Sequence, residues 1–368
     1  KGLGVISRAV AGRSTLQILS NVLISTDDDG LKLSASNLEI GINSWIGAKV
    51  EVSGAIAIPA RLLSEFVNSL PPERVDLELD EVTQVLNVRC AHFEANLKGI
   101  DAQEFPSVPG LDAGGDVIHI DAEILKQAIN QVVLAAAVEE SQPVLTGILA
   151  QFENEQLILS GTDGFRLSTK IIPLALSLET PFEVIIPARA LSELARVLGS
   201  QDLPVQIAIT PSQNQILFHL ENIDLVSQLI EGRFPDVSQI IPKSHTTRTL
   251  LDAKNFLKAA RVSYLFARDA SNIVKLEIIP GDGELVGGRV VFSATSQELG
   301  DNITDLEAGV DGERVEIAFN AKFLIDVLSV MNGAQIILET SAPASPGMLK
   351  MQGDDTFQHV IMPMHLSR

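Results

Sequence analysis

Between residues 122 and 138 the apolar side chains Leu125, Ile129, Val132, Val133 and Ala136 return with a period near 3.6. That spacing predicts an amphipathic helix, and Asp121 stands where an N-cap acceptor belongs. Residues 253–268, behind Asp252, repeat the pattern. Elsewhere the period drops to two, which predicts strands at 74–79, 156–160, 205–209, 275–279 and 334–338. Asp29-Gly30, Asp282-Gly283 and Asp311-Gly312 read as hairpin turns. Further helices are expected to start at Pro59, Pro187 and Asn320, where a missing N–H costs little.

These elements recur in order. Ala57-Ile58-Pro59-Ala60-Arg61-Leu62-Leu63 returns as Ile185-Ile186-Pro187-Ala188-Arg189-Ala190-Leu191 and, more weakly, as Ala318-Phe319-Asn320-Ala321-Lys322-Phe323-Leu324. Pro59, Pro187 and Asn320 lie 128 and then 133 residues apart. Ser34, Ser160 and Ser293, each after an apolar residue, are spaced by 126 and 133. The closing pairs Phe105-Pro106, Phe234-Pro235 and Met362-Pro363 are spaced by 129 and 128. Three markers sharing one order and nearly one period predict three homologous domains, each a helix, strands, a second helix and more strands: an α+β fold. The period is domain-sized, longer than the ~20–50 residues of a solenoid unit. The expected domains are 1–115, 116–245 and 246–368, with boundaries near Gly114-Gly115 and Ser244-His245. Aligning Leu19 with Leu145 leaves the first domain without counterparts of the opening strand and half of the first helix.

Composition narrows the function. Among 368 residues, 27 basic and 47 acidic side chains give a net charge of −20, which excludes a uniformly basic nucleic-acid binder but not a local basic stripe. A hydrophobic content of 46% excludes a wholly disordered chain. A single cysteine, Cys90, leaves no internal disulfide and no cysteine-based zinc site. No apolar run approaches the ~18 residues of a membrane-spanning helix. The sequence holds no phosphate loop, no His-Glu-x-x-His and no Gly-x-Ser-x-Gly. Gly2-Leu3-Gly4 lacks the third glycine of a dinucleotide fingerprint, and Asp27-Asp28-Asp29-Gly30 lacks the spacing of a calcium loop. His92, His119, His219, His245, His359 and His365 show no ligand spacing. No catalytic residue, metal site or cofactor is therefore expected. The competing enzymatic reading pairs Asp163 with a histidine such as His119, and a third reading is a protein scaffold that binds no nucleic acid.

Two features stand out against this background. Eleven of the 27 basic residues fall on or beside the predicted helices, among them Arg8, Arg61, Arg268 and Lys322, whereas strands such as Asp76-Leu77-Glu78-Leu79-Asp80-Glu81 are acidic. These are either ordinary helix-surface cations or a face turned toward a polyanion; few aromatics accompany them, which favours backbone contact over base stacking. Should that face meet a polyanion such as DNA, helix placement makes Lys126, Arg189, Arg196, Lys254, Lys258 and Arg261 its expected contacts. All five methionines lie in the last 38 positions, and the apolar tail Val360-Ile361-Met362-Pro363-Met364-His365-Leu366 is either a final strand or an adaptable peptide groove.

Ser160-Gly161-Thr162-Asp163-Gly164-Phe165-Arg166-Leu167, Gly232-Arg233-Phe234-Pro235-Asp236 and Val360-Ile361-Met362-Pro363-Met364 resemble the bacterial DNA polymerase III beta subunits, the sliding clamps. Arg13-Ser14-Thr15-Leu16-Gln17-Ile18-Leu19 is similar to that family's first-domain loop, with Ser14 and Gln17 in place of prolines. The resemblance spans the chain. It implies three clamp domains with helices inside and antiparallel sheets outside, closed head to tail as a homodimeric ring. The implied function is a cytoplasmic, nucleoid-associated processivity factor, with no catalysis of its own and no membrane. It would encircle duplex DNA and tether the replicative polymerase without sequence specificity. Arg13 matches the family's DNA-contacting arginine. The implied partners are the DNA polymerase III alpha subunit, the clamp loader, and other polymerases and repair proteins that insert short apolar peptides.

The pocket for those peptides carries over onto Leu145, Thr162, Gly164, Phe165, Arg166 and Leu167 in the second domain and Pro235, Gln239 and Ile240 after it. In the third domain it carries over onto Pro346, Val360, Ile361, Met362, Pro363, Met364, His365 and Leu366. Gln239 and His365 stand where a basic residue is common in the family. Leu265 and Phe266 end the helix that the family uses at its ring interface, or else pack within the third domain.

Overall fold

The computed structural model describes the chain except for residues 1, 13, 28–29, 112–114, 140, 176–179, 200–202, 270, 282–286 and 366–368. Arg13, Leu366, the Gly114 boundary and the Asp282-Gly283 turn thus lie outside the described residues, as do the first two positions of the turn before Gly30. The helices among the described residues are α1 (Gly2–Ile6), α2 (Ala60–Ser69), α3 (Ala122–Val133), α4 (Ala188–Val197), α5 (Ala253–Ala267) and α6 (Ala321–Val330). No helix among those residues is long and apolar enough to cross a membrane.

The expected caps form. Asp121 accepts from the N–H groups of Glu123 (3.0 Å) and Ile124 (2.9 Å), and Asp252 from Asn255 (2.9 Å). Asn320, expected as the first residue of its helix, is instead the N-cap of α6 and accepts from the Lys322 N–H (2.9 Å). Helix α3 stops five residues before the predicted end at 138. Just beyond it, the Ala135 and Ala136 N–H groups bond the carbonyls of Val132 and Val133, three residues back, and the Ala137 N–H turns to the Leu145 carbonyl at 2.9 Å. Pro59 and Pro187 are the last residues of strands Ala55–Pro59 and Phe182–Pro187, so α2 and α4 open one residue later than predicted.

The chain forms two compact units: Lys1–Ile124 with Arg189–Leu229, and Leu125–Ala188 with Ile230–Arg368. Each therefore contains half of the middle repeat. The cause is a pair of sheet seams that join neighbouring repeats. In the first unit, Ile40–Gly47 pairs antiparallel with Ile223–Gln228, so that a nine-stranded sheet runs from Ile100–Asp101 to Ile118–Ile120. A separate three-stranded sheet, Val75–Asp80, Val85–Cys90 and Phe93–Lys98, has Cys90 buried on its apolar face. In the second unit, Arg166–Pro173 pairs with Asp354–Ile361 inside a twelve-stranded sheet. Its core packs Phe256 of α5 edge-to-face on Phe292 (5.7 Å between ring centres), with Leu324 of α6, Phe319 and Phe357.

Predicted strands agree closely, and Val205–Ile209 coincides. The Asp311-Gly312 hairpin does not form. These residues end the strand Gly300–Gly312, which pairs with Gly288–Ser296 along residues 300–308 and with Thr247–Asp252 along 309–312. Gly312 has φ +120°, and a Cβ there would overlap the Thr246 carbonyl oxygen, so glycine serves a close backbone approach rather than a turn.

Candidate partner groove and cationic helices

The candidate groove is centred on the turn between strands Gln156–Thr162 and Arg166–Pro173. The Asp163 carboxylate accepts from the N–H groups of Phe165 (2.9 Å) and Arg166 (3.0 Å), and from Arg166 Nε (3.0 Å). The Thr162 hydroxyl donates to the Arg166 carbonyl (2.7 Å) and accepts from the Gly164 N–H (3.1 Å). Gly164 has φ +88°. A turn so fully bonded holds Phe165 outward, with 63% of its surface exposed.

The chain's last strand lies beside this turn. Leu167 pairs with Val360 and Arg166 with Ile361. Past the strand, the Met362 N–H donates to the Phe165 carbonyl (2.9 Å) and the Met364 N–H to the Ala318 carbonyl (2.8 Å). These bonds tether Met362-Pro363-Met364 to the body of the unit while Met362 stays 37% exposed. Beneath, Leu167, Met348 and Val360 are buried together, with Ile240, Ile241 and Val237 packed against them. Leu145 belongs to an adjoining cluster with Leu149, Ile185 and Phe234, and Val237 touches both. The tail is thus a final strand up to Ile361, and Met362-Pro363-Met364 continues beyond it.

The rim is polar. Pro235, Gln239 and His365 are exposed and Pro346 is half-buried. Gln239 donates to Asp236 (2.8 Å), and hydrogen bonds from Ser238 and Gln239 hold the Asp236 carboxyl below its ordinary range. Sequence reading missed two residues of α6. The Arg166 guanidinium lies 4.3 Å from the centre of the Phe323 ring and donates to Asp326 at 2.8 Å. Phe323 belonged to a recognised repeat marker, which was the available signal.

On the reverse of the same strands, Ser168 Oγ and His359 Nδ1 lie 2.7 Å apart. Burial, with the Arg166 charge adding to it, pushes the His359 ring down to about 3. No cluster of potential metal ligands occurs among the described residues.

The expected DNA contacts sit on helices. Lys126 is half-buried on α3, Arg189 and Arg196 are exposed on α4, and Lys254, Lys258 and Arg261 are exposed on α5. On α5 the intervals of four and three residues place the three cations, then Leu265, along one stripe. Arg189, Lys254, Lys258 and Arg261 form no ion pair among the described residues, whereas Arg61 pairs with Glu65 and Arg196 with Glu193. Leu265 is 53% exposed, while Phe266 packs partly against the α5–α6 core.

Nearly the whole chain matches models of the DNA polymerase III beta subunit: the N-terminal domain at 1–109, the central domain at 119–236 and the C-terminal domain at 238–365. The chain belongs to the DNA polymerase III beta subunit family. It is 31% identical to the beta sliding clamp of Bacillus subtilis over 98% of this chain and 95% of that one. With the clamp of Staphylococcus epidermidis it shares 30%, over 97% and 94%. The crystal structure of the DNA polymerase sliding clamp from Bacillus subtilis superposes with a TM-score of 0.92 at 30% identity, covering 100% of this chain and 96% of that one. A Pseudomonas aeruginosa clamp bound to griselimycin gives 0.91 at 26%, covering 99% and 96%. Membership in this family agrees with the resemblance read from the Thr162–Leu167 turn and the methionine-rich tail.

Proposed function

We propose that two copies of this chain close head to tail into a ring around duplex DNA and tether the replicative polymerase to it, without sequence specificity and without catalysis. The observation that carries this reading is the unbroken order of three beta-subunit domains along the chain. The domains are taken as 1–115, 116–245 and 246–368.

The charge distribution fits. A body of net charge −20 repels DNA except where cations gather, and Lys126, Arg189, Arg196, Lys254, Lys258 and Arg261, with Arg13 by family resemblance, supply such places. Lysine and arginine contacts to phosphates carry no sequence information and exchange easily, which suits a ring that slides. The groove takes short apolar peptides from the DNA polymerase III alpha subunit, the clamp loader, other polymerases and repair proteins. Its buried floor of Leu167, Met348 and Val360 and its exposed Phe165 and Met362 suit such ligands. Asp163, the carboxylate of the competing enzymatic reading, is already engaged by Arg166 and two backbone N–H groups.

Two sheet edges support the ring. Strand Phe93–Lys98 closes its sheet, and residues 300–308 are paired on one side only among the described residues. Phe93 is 51% and Ile303 69% exposed. Such edges are a liability unless covered, and head-to-tail pairing of two copies covers both, with Leu265 and Phe266 beside the joint. The ring acts on cytoplasmic, nucleoid-associated DNA. The test is topological: protein loaded on nicked circular duplex DNA stays bound through gel filtration and is released when the circle is cut. Equal retention on both forms rejects encirclement.

A further inference from the structure

Glu193 on α4 is bound by two arginines at once. Its Oε2 accepts from Arg8 Nη1 at 3.0 Å and its Oε1 from Arg196 Nη1 at 2.6 Å. Arg8 lies in the turn Ser7–Ala9 that follows α1, 185 residues away in sequence, and Arg196 in the last turn of Glu193's own helix. The carboxylate is well covered, its side chain 13% exposed, while the two arginines remain 35% and 59% exposed. Each guanidinium has five N–H donors and spends one on Glu193, so both keep donors for an outside acceptor.

We propose that Glu193 is a positioning residue of the DNA-facing surface that also tempers its charge. It holds Arg8 and Arg196 together and leaves the trio one net positive charge instead of two. This inference rests on the DNA-encircling reading above and adds Arg8 to the surface. The contrast with Arg189 on the same helix is physical. Arg189 has no ion-pair partner among the described residues and offers its full charge to a phosphate, whereas a phosphate approaching Arg196 also meets the Glu193 carboxylate. Each phosphate neutralised adds about 0.9 to the steepness of log K against log salt. A sliding ring gains from shallow attraction, and a carboxylate shared by two arginines keeps their geometry while halving their net charge.

The test uses the full chain and a short labelled duplex of mixed sequence, with affinity followed by anisotropy across a salt series. Glu193→Gln keeps the shape and removes the negative charge. It is expected to tighten binding about threefold to tenfold at moderate salt and to steepen the salt slope by about one. A role confined to holding the fold would not change that slope. In the parent, Arg196→Ala should lose less affinity than Arg189→Ala; in the Glu193→Gln background the two losses should match. Unchanged affinity and slope in Glu193→Gln overturn the proposal. Should that variant not fold, equal losses for Arg196→Ala and Arg189→Ala in the parent overturn it as well. A parent with no salt-sensitive affinity for the duplex leaves no cationic surface for Glu193 to temper and overturns the proposal too, while encirclement is decided separately by the circular-DNA test. A parent that binds, with a variant that matches it, removes only the role of Glu193.

Discussion

Arg166 and Asp326, 160 residues apart, meet at 2.8 Å between Nη1 and Oδ2, and the same guanidinium rests on the Phe323 ring. The contact fastens the Thr162–Arg166 turn to α6. Arg166 also bonds Asp163, so one nearly buried cation is shared by two carboxylates, and its backbone forms part of the groove.

Asp326→Asn should therefore cost about 1–3 kcal/mol, the penalty of weakening a part-buried charged hydrogen bond. Phe323→Leu, which removes the ring but keeps the apolar contact, should cost about 0.5–1.5 kcal/mol. Denaturant midpoints of both variants check this. A neutral Asp326→Asn would mean that Asp163 alone secures Arg166.

His359 gives the protein a specific acid sensitivity. Its ring is neutral in the folded chain, with a pKa near 3, whereas an unfolded histidine titrates near 6.5. As pH falls through that window the unfolded state takes up a proton that the folded state refuses. Stability should thus drop progressively below about pH 6.5, by an amount on the order of 4 kcal/mol near pH 3. His359→Gln should flatten this decline while lowering stability at neutral pH, because the Ser168 partner is disturbed. Denaturation midpoints across a pH series check it, and parallel curves for the two proteins would assign the acid response to other groups.

How far the chain could be read in advance depended on range. The caps at Asp121 and Asp252 and the strand Val205–Ile209 are local signals, and each appears where the pattern placed it, whereas Pro59, Pro187 and Asn320 each stand one residue before the helix they were expected to open. The end of α3 was not legible, because the Ala137 N–H is claimed by Leu145 across a fold-dependent contact. The Asp311-Gly312 pair looked like a hairpin because glycine after aspartate marks turns. Here the glycine admits the Thr246 backbone. In the candidate groove, Leu167 and Val360 of the buried floor were named from the family resemblance, whereas Met348 beside them was not. Asp326 carried no signal of its own, since only folding brings it to Arg166.

The groove makes a second kind of prediction. Met362 is partly exposed, and its backbone N–H is bonded to Phe165, so truncating its side chain removes contact surface without opening the core. Met362→Ala should leave the melting temperature nearly unchanged and weaken an apolar clamp-binding peptide about fivefold to twentyfold, the loss of roughly 1–2 kcal/mol of apolar contact. Leu167→Ala, by contrast, empties a buried position and should cost about 2–4 kcal/mol of stability as well as affinity. Calorimetry with one peptide and both variants separates the two. A Met362→Ala protein that binds normally would move the peptide elsewhere.

The proposed ring joint can be broken from either side. Ile303 is exposed on a half-paired strand and Phe93 on the edge of the three-stranded sheet. A lysine at position 303 adds no strain to a free monomer but, once the edge is covered, buries a charge beside an apolar partner. Ile303→Lys should therefore preserve each chain's unfolding transition within about 0.5 kcal/mol and raise the dimer dissociation constant tenfold or more, roughly 1.4 kcal/mol. Leu265→Ala tests the neighbouring helix in the same way, because its half-exposed side chain contributes little to the α5–α6 core, whereas Phe266→Ala would also cost folding energy. Sedimentation equilibrium reads the outcome. If Ile303→Lys and Leu265→Ala both sediment as the parent does, the copies meet through another surface and the edge argument fails.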